Sequence, residues 1–422
     1  MSLSCQDYIR KIDFPARTLE DFVREIFIAW KRIRRWQGKE GVTYENDLEH
    51  SFKTALQTML FLQLEGRRPD IDPFELLVLA VLHDIGEGCS GVDIIYTIKN
   101  DPRMKGALAK LEEKDFDAKF NELPPEAKSA LISIYHLQDS RATPAGKFFA
   151  IVEQMGYAFF SHEEINRRDL SAATVLSFTR VLERVRRDIK PLPDFFGTLK
   201  DFCAPLDDPE MKRVAEYSPE PVSRRIIAGW KSIKAWPEFA SDEDLLERVM
   251  KNALIGCMML TVERQKRPEL DGYRVLSALL VRNLSKVSYP IWPWRMKHDP
   301  DFPDRANEEI EREHFMAAVH DFPEAMRRFL ADCLDLRSDG LSAEGEIYKA
   351  IKLFGYGLFA LYEFERGHRE YAEVLYNVTR AIEPLVDKFF SLQLFYGPLR
   401  DRFLCGADYW ETSLAPAAPR LL

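Results

Sequence analysis

The chain has 422 residues, of which 46% are apolar and 30% charged, and its formal net charge is −9. It contains no apolar run near the roughly 20 residues that span a bilayer, so we expect no membrane-embedded segment. It also has no basic run interleaved with aromatic residues, which argues against polymeric nucleic acid as a partner.

The amino terminus and the cysteines indicate the compartment. The stretch "MSLSCQDYIRKIDF" lacks the apolar core of a secretion signal. The six cysteines lie far apart without a CxxC pair, so we expect buried free thiols rather than a zinc or redox site. Both observations predict a cytoplasmic protein.

The segment "DLEHSFKTALQTMLFLQLEG", which begins at Asp47, is predicted to be a helix. Its apolar residues follow the spacing of one helix face: Leu48, Phe52, Ala55, Met59 and Leu62. His50 lies roughly 200° around the helix from Leu48. It therefore points away from this apolar stripe.

The next segment opens with a strong helix start. Asp72 is placed as the N-cap, Pro73 as the first helical residue and Glu75 as the acid at N3. An apolar run over residues 76–82 follows. The run is apolar on every side, which predicts a buried helix.

His83 and Asp84 end this run, and Gly86 and Gly88 are expected to stop the helix. Both polar residues are therefore predicted to be buried. A buried carboxylate costs several kcal/mol unless a partner balances it. The glycines formally fit a GxGxxG pattern, but a dinucleotide site would need a strand before them.

A metal ion would be such a partner. Glu153 is the only acid in the otherwise apolar segment "TPAGKFFAIVEQMGYAFF". A divalent cation bound by His50, His83, Asp84 and Glu153 would balance the buried carboxylates and use neutral imidazoles as ligands. Taken singly, each histidine would instead be interpreted as a hydrogen-bonded core residue.

The sequence repeats itself at an offset of 198 to 200 residues. Trp30 and Trp36 recur as Trp230 and Trp236, and "GKFFAIVEQMGY" recurs as "GEIYKAIKLFGY". The colinear matches extend over about 180 residues, which predicts two copies of one helical domain. The predicted division is a catalytic domain at 1–202, a linker at 203–222, a second domain at 223–405 and a tail at 406–422.

The second copy has a different residue at all four proposed ligand positions and at the positions of Glu87 and Arg35. The replacements are Arg248 for His50, Arg282 for His83, Asn283 for Asp84, Lys352 for Glu153, Lys286 for Glu87 and Ala235 for Arg35. We expect no metal there, a structural or regulatory role, and a net positive pocket. Its cations either pair with local acids such as Glu247 or converge on an anion.

The ordered set resembles the HD superfamily of metal-dependent phosphohydrolases, whose signature is a distant His, an adjacent His-Asp and a later acid. Within it, the chain is most similar to the bacterial 5'-deoxynucleotidases. Those proteins carry an Arg-Trp pair before the first ligand, matched by Arg35 and Trp36, and an HDxxE segment, matched here up to Glu87. The resemblance covers roughly residues 20 to 160 and departs at Glu153, where the family has Asp.

The resemblance implies an all-α fold, one divalent ion (Mn, Co, Zn, Ni, Fe or Mg) and hydrolysis of a small phosphate monoester or nucleotide. It implies that Arg35 contacts the phosphate, that Trp36 packs on the sugar and that Asp93 faces a sugar hydroxyl. It places Glu87 beside the attacking water, with Asp84 as the other catalytic residue. Because the related enzymes are homodimers, the second copy is expected to replace the partner subunit, although a homodimer stays open.

Two other functions stay open from the sequence. The first is a nucleotide-binding regulatory protein with little turnover, because Glu153 is one methylene longer than Asp. The second is a dimetal HD oxygenase, which would need further ligand histidines, with His136 as the nearby candidate. A second His-Asp pair, His320 and Asp321, precedes "FPEAM" and is interpreted as a helix start.

Overall fold

The structure is a computed structural model that describes residues 19–36, 40–66, 69–91, 103–138, 143–166, 170–189, 218–239, 241–297, 299 and 301–414. Within these ranges the predicted all-α fold is confirmed, since the only sheet there is a pair of two-residue strands. None of the helices described combines the length and the apolar character needed to cross a bilayer.

The described part of the first half consists of helices joined by short connections. In chain order the elements are α1 (Leu19–Arg32), β1 (Arg34–Arg35), β2 (Glu45–Asn46), α2 (Asp47–Glu65), α3 (Pro73–Leu82), α4 (Ile85–Ser90), α5 (Lys105–Phe120), α6 (Pro125–Tyr135), α7 (Pro144–Asn166) and α8 (Ala172–Ile189). The two strands are antiparallel, with Arg35 opposite Glu45.

The second half has a similar order of helices. These are α9 (Glu220–Lys231), α10 (Leu245–Lys266), α11 (Gly272–Val281), α12 (Trp294–Lys297), α13 (Asp304–Ala318), α14 (Glu324–Asp335), α15 (Ala343–Glu365), α16 (Ala372–Val386), α17 (Phe390–Phe395) and α18 (Arg400–Tyr409). Among the described residues of this half, one isolated antiparallel bridge, between Lys234 and Asp244, stands in place of a β-ladder.

Local sequence signals determine where the long helices begin. At the start of α2, Asn46 and Glu49 form a reciprocal capping box, in which each side chain accepts from the other's backbone N–H. Asp244 and Glu247 form the same box at the start of α10. Helix α3 begins directly after its N-cap Asp72, as the sequence predicts.

The expectation that Gly86 and Gly88 stop a helix is wrong. Helix α3 ends at Leu82, and both glycines lie inside α4, whose C-cap is Gly91 with a φ of 72°. A Cβ added to Gly88 would lie only 2.8 Å from Nε1 of Trp30. Glycine is required there because α4 packs directly on α1.

Both halves contribute to one apolar core. The rings of Phe52 in α2 and Trp230 in α9 are in contact, with centroids 5.0 Å apart. Helix α10 also packs against α6, and α11 packs against α3. The two halves therefore share buried surface rather than meeting only through a linker.

Several ion pairs between the halves are reciprocal: a contact made by one half recurs with the roles of the two halves exchanged. Nζ of Lys31 lies 2.9 Å from Oε1 of Glu247, while Lys231 pairs with Glu49. The two lysines are 200 residues apart and the two glutamates 198 apart, which is the register of the sequence repeat. Such contacts are the pattern of an isologous interface, in which one patch pairs with its own equivalent.

The same reciprocity applies to one lysine in each half, Lys53 and Lys251, which bridges carboxylates of both halves. Nζ of Lys53 lies 2.6 Å from Oε1 of Glu45 in its own half and 2.5 Å from Oε1 of Glu220 in the other half. Both carboxylates are buried. The ammonium therefore neutralises carboxylates from both sides of the interface.

The equivalent lysine in the second half is Lys251. It pairs with Glu243 in its own half, and its Nζ lies 3.1 Å from Oε1 of Glu20 in the first half. Burial raises the pKa of Glu20, and the charge of Lys251 opposes this rise. The salt bridge thus offsets part of the cost of burying this carboxylate.

Two predicted boundaries differ from the structure. Helix α9 begins at Glu220, inside the predicted linker, whose residues 203–217 lie outside the described residues. The predicted tail is helical up to Leu414, because α18 continues to Tyr409 and a π-helical turn follows. Gly406 packs so closely on α16 that an added Cβ would lie 2.3 Å from Leu375 Cδ1, which explains the order of this end.

The cysteines agree only in part with the expectation of buried thiols. Cys257 and Cys333 are buried free thiols, and Cys89 is a half-buried one. Cys405 is disulfide-bonded instead of free. Cys5 and Cys203 lie outside the described residues.

Candidate metal centre

His83 and Asp84 occupy the turn between α3 and α4. Both are buried, at 5% and 9% exposure. Nε1 of Trp30 donates a hydrogen bond of 2.9 Å to the carbonyl oxygen of Asp84, so α1 fixes the main chain of this turn. The apolar run before the turn holds both side chains in the interior.

His50 lies in the first turn of α2 and faces this turn. Its Nε2 is 3.8 Å from Oδ2 of Asp84, and the imidazole centroids of His50 and His83 are 5.2 Å apart. His50, His83 and Asp84 each offer a ligand atom within 4.8 Å of the others. The fold therefore brings together three of the four predicted ligands.

The geometry of His83 suits a metal ligand. Its Nδ1 lies 2.9 Å from the carbonyl oxygen of Ala80, which can only accept, so Nδ1 carries the proton. Its Nε2 is buried, has no well-aligned hydrogen bond to a described residue, and lies 3.2 Å from Oδ2 of Asp84. Two electron-rich atoms at this distance need a proton or a cation between them. Metal–ligand bonds of about 2.0–2.2 Å would separate adjacent ligand atoms by roughly 3.0–3.6 Å.

The electrostatics keep His50 neutral and Asp84 ionised. Burial, and next the charge of Arg35, lower the pKa of His50 to about 4. Burial opposes ionisation of Asp84, but His83 and Arg35 outweigh it and hold the pKa of Asp84 well below its usual range. A neutral imidazole and a carboxylate are the forms that bind divalent metals.

Glu45 supports His50 from the other side. Its Oε2 lies 3.8 Å from Nδ1 of His50, longer than a hydrogen bond but close enough for its charge to act on the imidazole. Although burial opposes it, Lys53 lowers the pKa of Glu45, so this carboxylate is ionised. A carboxylate behind a ligating histidine orients the ring and increases its basicity.

Arg35 is the cation nearest to the cluster. Its Nη1 lies 2.8 Å from Oδ2 of Asp84 and 3.3 Å from Oδ1 of Asp47, and its Nη2 donates to the hydroxyl of Tyr157 at 3.4 Å. The guanidinium is therefore held at the edge of the ligand group. In this position it can contact a bound anion or neutralise the negative charge of the ligand carboxylates.

Two further carboxylates surround Asp84. Glu87 and Asp47 each place an oxygen within 4.8 Å of Asp84 and of each other, and both are buried. The charge of Glu87 also acts on Arg35. Three carboxylates beside one guanidinium leave surplus negative charge, which a divalent cation would balance.

Glu153 is near the cluster but outside the group of ligand atoms. It lies on α7, and its charge contributes to raising the pKa values of His83 and Tyr157. Among the described residues, the group of ligand atoms that includes both histidines consists of His50, His83 and Asp84 alone. Coordination by Glu153 would need its longer side chain to turn toward them.

Trp36 adopts a left-handed backbone conformation, with φ of 64°. Its indole stacks on Phe160 with centroids 4.6 Å apart and meets the edge of Tyr157. Because a non-glycine residue at this φ is strained, the packing must hold it in place. Asp93, the other predicted sugar contact, lies outside the described residues.

The remaining histidines singled out in the sequence lie away from the cluster. His136 caps the end of α6 and is exposed, and it belongs to no metal-type group among the described residues. His320 and Asp321 lie in an exposed turn just before α14, whose N-cap is Pro323. The dimetal alternative thus gains no further histidine ligand from the described part of the chain.

A separate cavity of about 510 Å³ opens between the halves. Glu45 and Lys53 line it on one side, and Arg224 and Lys231 line it on the other. The three cations are paired, Lys53 with Glu45, Arg224 with Glu164 and Lys231 with Glu49. None of the three ligand residues lines this cavity, which is therefore distinct from the metal centre.

Asp47, Glu45 and Tyr157 are the neighbours that the sequence did not single out. Asp47 is the first residue of a helix, where an acid is expected for the helix dipole alone. Tyr157 stands four residues after Glu153 on α7, so the i,i+4 spacing was the available signal for it. Nothing in the local pattern distinguishes Glu45 from a surface acid.

A helical fold that buries a paired His-Asp beside a second histidine defines an HD-type metal-dependent phosphohydrolase. Residues 25–170 match the family model described as 5'-deoxynucleotidase YfbR-like, which belongs to that superfamily. Over residues 25–170 the chain is therefore similar to the HD-type metal-dependent phosphohydrolases of the 5'-deoxynucleotidase kind. No curated protein and no solved structure matches the chain.

Proposed function

We propose that the first half removes phosphate from a small phosphate monoester, a nucleoside or deoxynucleoside 5'-monophosphate. The observation that carries the proposal is the convergence of His50, His83 and Asp84 within a segment that matches a 5'-deoxynucleotidase family. The proposed metal ligands are these three residues and Glu153. The donor set of imidazoles and carboxylates fits several divalent ions.

A bound divalent ion would polarise the phosphoryl group and lower the pKa of a water molecule. The chain supplies the remaining chemistry. We assign Glu87 to the orientation and deprotonation of the attacking water, because its carboxylate is buried beside Asp84. Arg35 is assigned to the phosphate oxygens, which match a guanidinium fork.

The sugar contacts are proposed for Trp36 and Asp93. One face of the Trp36 indole stacks on Phe160, so the proposal places the sugar against another part of the ring. The strained φ of Trp36 agrees with a residue whose position is set by function. Exclusion of bulk water follows from the burial of the ligands.

We also infer that the two halves are copies of one domain and that the second replaces a partner subunit. Reciprocal ion pairs support this inference, since Lys31 with Glu247 repeats as Lys231 with Glu49. A further parallel is the hydrogen bond of 3.0 Å from Nε1 of Trp230 to the carbonyl oxygen of Asn283, which corresponds to that from Trp30 to Asp84. The second copy would then serve structure and regulation, without the metal ligands.

We expect the purified protein to hold about one divalent metal ion per chain and to release phosphate from at least one nucleoside 5'-monophosphate. The reason is the ligand group of His50, His83 and Asp84. Metal content is measured by elemental analysis. Phosphate release is measured on a mononucleotide panel with Mn, Co, Zn, Ni, Fe or Mg added in turn.

Protein that takes up none of these metals would contradict the proposal. Protein that holds metal and binds nucleotides but releases no phosphate would instead establish the regulatory function. Glu153→Asp is the variant that separates these outcomes. If the longer side chain limits turnover, the shorter one should raise it.

Arg35→Ala should retain the metal and lower kcat/KM by about 10- to 150-fold, which corresponds to roughly 1.5–3 kcal/mol. The variant removes a phosphate contact but no ligand, and it removes a cation that competes for Asp84. Arg34→Ala is the matched control, since Arg34 is exposed and contacts Tyr44. Unchanged KM and kcat in Arg35→Ala would show that Arg35 only balances the carboxylates.

A further inference from the structure

Cations surround Tyr356 on α15, in the second half. The centroid of its ring lies 5.4 Å from Cζ of Arg248 and 5.4 Å from Cζ of Arg282. Lys352 and Lys297 also act electrostatically on its hydroxyl. Arg248, Arg282 and Lys352 occupy the positions that carry His50, His83 and Glu153 in the first half.

Two described carboxylates near these cations, Glu243 and Glu311, each already interact with more than one partner. Glu243 lies 3.4 Å from Nε of Arg248, but it also pairs with Lys251 and accepts from Nε1 of Trp236 at 2.8 Å. Glu311 is likewise shared, as it lies 2.7 Å from Nζ of Lys286 and 2.8 Å from Nη2 of Arg337.

Arg282 and Lys352 have no such partner. Among the residues that the structure describes, neither side chain forms an ion pair with a carboxylate. Arg282 is 4% exposed, and its Nε and Nη2 have no hydrogen-bond acceptor there. Nη2 of the buried Arg248 also has no hydrogen-bond acceptor among these residues. Buried guanidinium donors without acceptors are costly, so a bound anion would stabilise these side chains.

Tyr157 and Tyr356 occupy equivalent positions in the two halves but have neighbours of opposite charge. Burial, and next the negative charge of Glu153, raise the pKa of Tyr157 in the first half. In the second half burial opposes ionisation, but Arg282, Arg248 and Lys352 lower the pKa of Tyr356 to about 7. Burial and the neighbouring cations also lower the pKa of Lys352 to about 8.

We propose that Arg248, Arg282 and Lys352 form an anion site that binds a phosphate group. The site is independent of catalysis in the first half. A guanidinium presents several N–H donors that match phosphate oxygens, and three converging cations suit a dianion. Lys352 is half-buried and Lys297 is exposed, so the cation cluster reaches solvent on their side.

The lining selects a phosphate group rather than a nucleobase. Trp236 is a large aromatic side chain beside Arg248, but Phe359 stacks on its indole at 5.3 Å and Cζ of Arg248 lies 4.1 Å from the ring centroid. Its ring is therefore covered by these neighbours. The ligand is either inorganic phosphate or the phosphoryl end of a small molecule.

The test titrates inorganic phosphate into the full-length protein in phosphate-free buffer and follows heat and thermal unfolding. The proposal expects saturable binding that raises Tm, because a ligand that binds only the folded state stabilises it. The binding should persist in Asp84→Asn, which disables the first site. It should weaken at least about tenfold in Arg282→Gln and in Lys352→Gln, since each variant removes a charge-assisted contact. Arg305→Gln, an exposed arginine on α13, is the matched control and should leave binding unchanged.

Several results would overturn the proposal. These are no saturation by about 10 mM phosphate, binding lost in Asp84→Asn, or binding retained in the double variant of Arg282 and Lys352. Stability gives a separate readout without ligand. Arg282→Gln should be no less stable than the wild type in phosphate-free buffer, because it removes an unpaired buried charge. A large loss of stability there would show that Arg282 is satisfied within the protein.

A second titration identifies the source of the phosphate group. Tighter binding of a nucleoside 5'-monophosphate than of phosphate in the Asp84→Asn protein would assign the site to phosphorylated small molecules. Equal or weaker binding would assign it to inorganic phosphate.

Discussion

Asp84→Asn is expected to remove the metal and to lower phosphate release by at least about 10³-fold, or roughly 4 kcal/mol. Oδ2 of Asp84 is the atom on which the cluster converges, 3.2 Å from Nε2 of His83 and 3.8 Å from Nε2 of His50. The amide of asparagine has nearly the same shape but no charge. It is also the residue that the second half has at this position, Asn283.

The fold should survive this substitution. The hydrogen bond from Trp30 goes to the main-chain carbonyl of residue 84, which the variant keeps. Arg35 retains its contact with Asp47. Asp321→Asn is the control, because Asp321 follows a histidine in the same way but lies in an exposed turn. Full metal content and full activity in Asp84→Asn would contradict the proposed metal centre.

The second large effect is expected on stability. Lys251→Met should lower the free energy of unfolding by about 3–5 kcal/mol at neutral pH, because it leaves the buried carboxylates of Glu20 and Glu243 without their shared partner. Urea denaturation measures this loss. Lys251→Arg, which keeps the charge, should recover part of it.

The loss should shrink in acid. The pKa of Glu20 is already raised, by burial first and then by the charge of Glu243, and removal of Lys251 takes away the largest opposing effect. The folded variant then binds protons more tightly than the unfolded chain, so its stability falls as pH rises through the folded pKa and recovers below it. Arg24 also faces Glu20 and moderates this shift.

The control for Lys251 is a pair without burial. Arg305→Ala removes an exposed partner of Glu309 and should change the free energy of unfolding by less than about 0.5 kcal/mol. If Lys251→Met were as stable as the wild type at pH 7.5 and at acid pH, the salt bridge would contribute nothing to the interface between the halves.

The sequence predicts the helical fold well because its signals are local. Asp72 and Pro73 mark the start of α3, and the apolar run after them predicts the burial of His83 and Asp84. Gly88 was misjudged because its reason is not local. Its lack of a side chain serves contact with Trp30, 58 residues earlier in the chain, and no periodicity within α4 records that contact.

The candidate site likewise has residues that the sequence could predict and residues that it could not. His50, His83 and Asp84 could be predicted because their residue types and order are diagnostic, and the fold brings them together. The position of Glu153 outside that group could not, since it depends on the rotation of α7 against α3 and α2. The role of Asp47 was hidden because an acid at a helix start has an ordinary explanation.

The reciprocal lysine and glutamate pairs between the halves join groups on one covalent chain. Separate subunits held by such pairs would part on dilution, whereas linked partners keep an effective concentration on the order of millimolar. In a dimer of identical subunits, each substitution is present in both pockets. A single chain with two halves does not have this constraint. Here one pocket keeps Asp84 while the other holds Arg282, so two chemically opposite sites can change separately within one molecule.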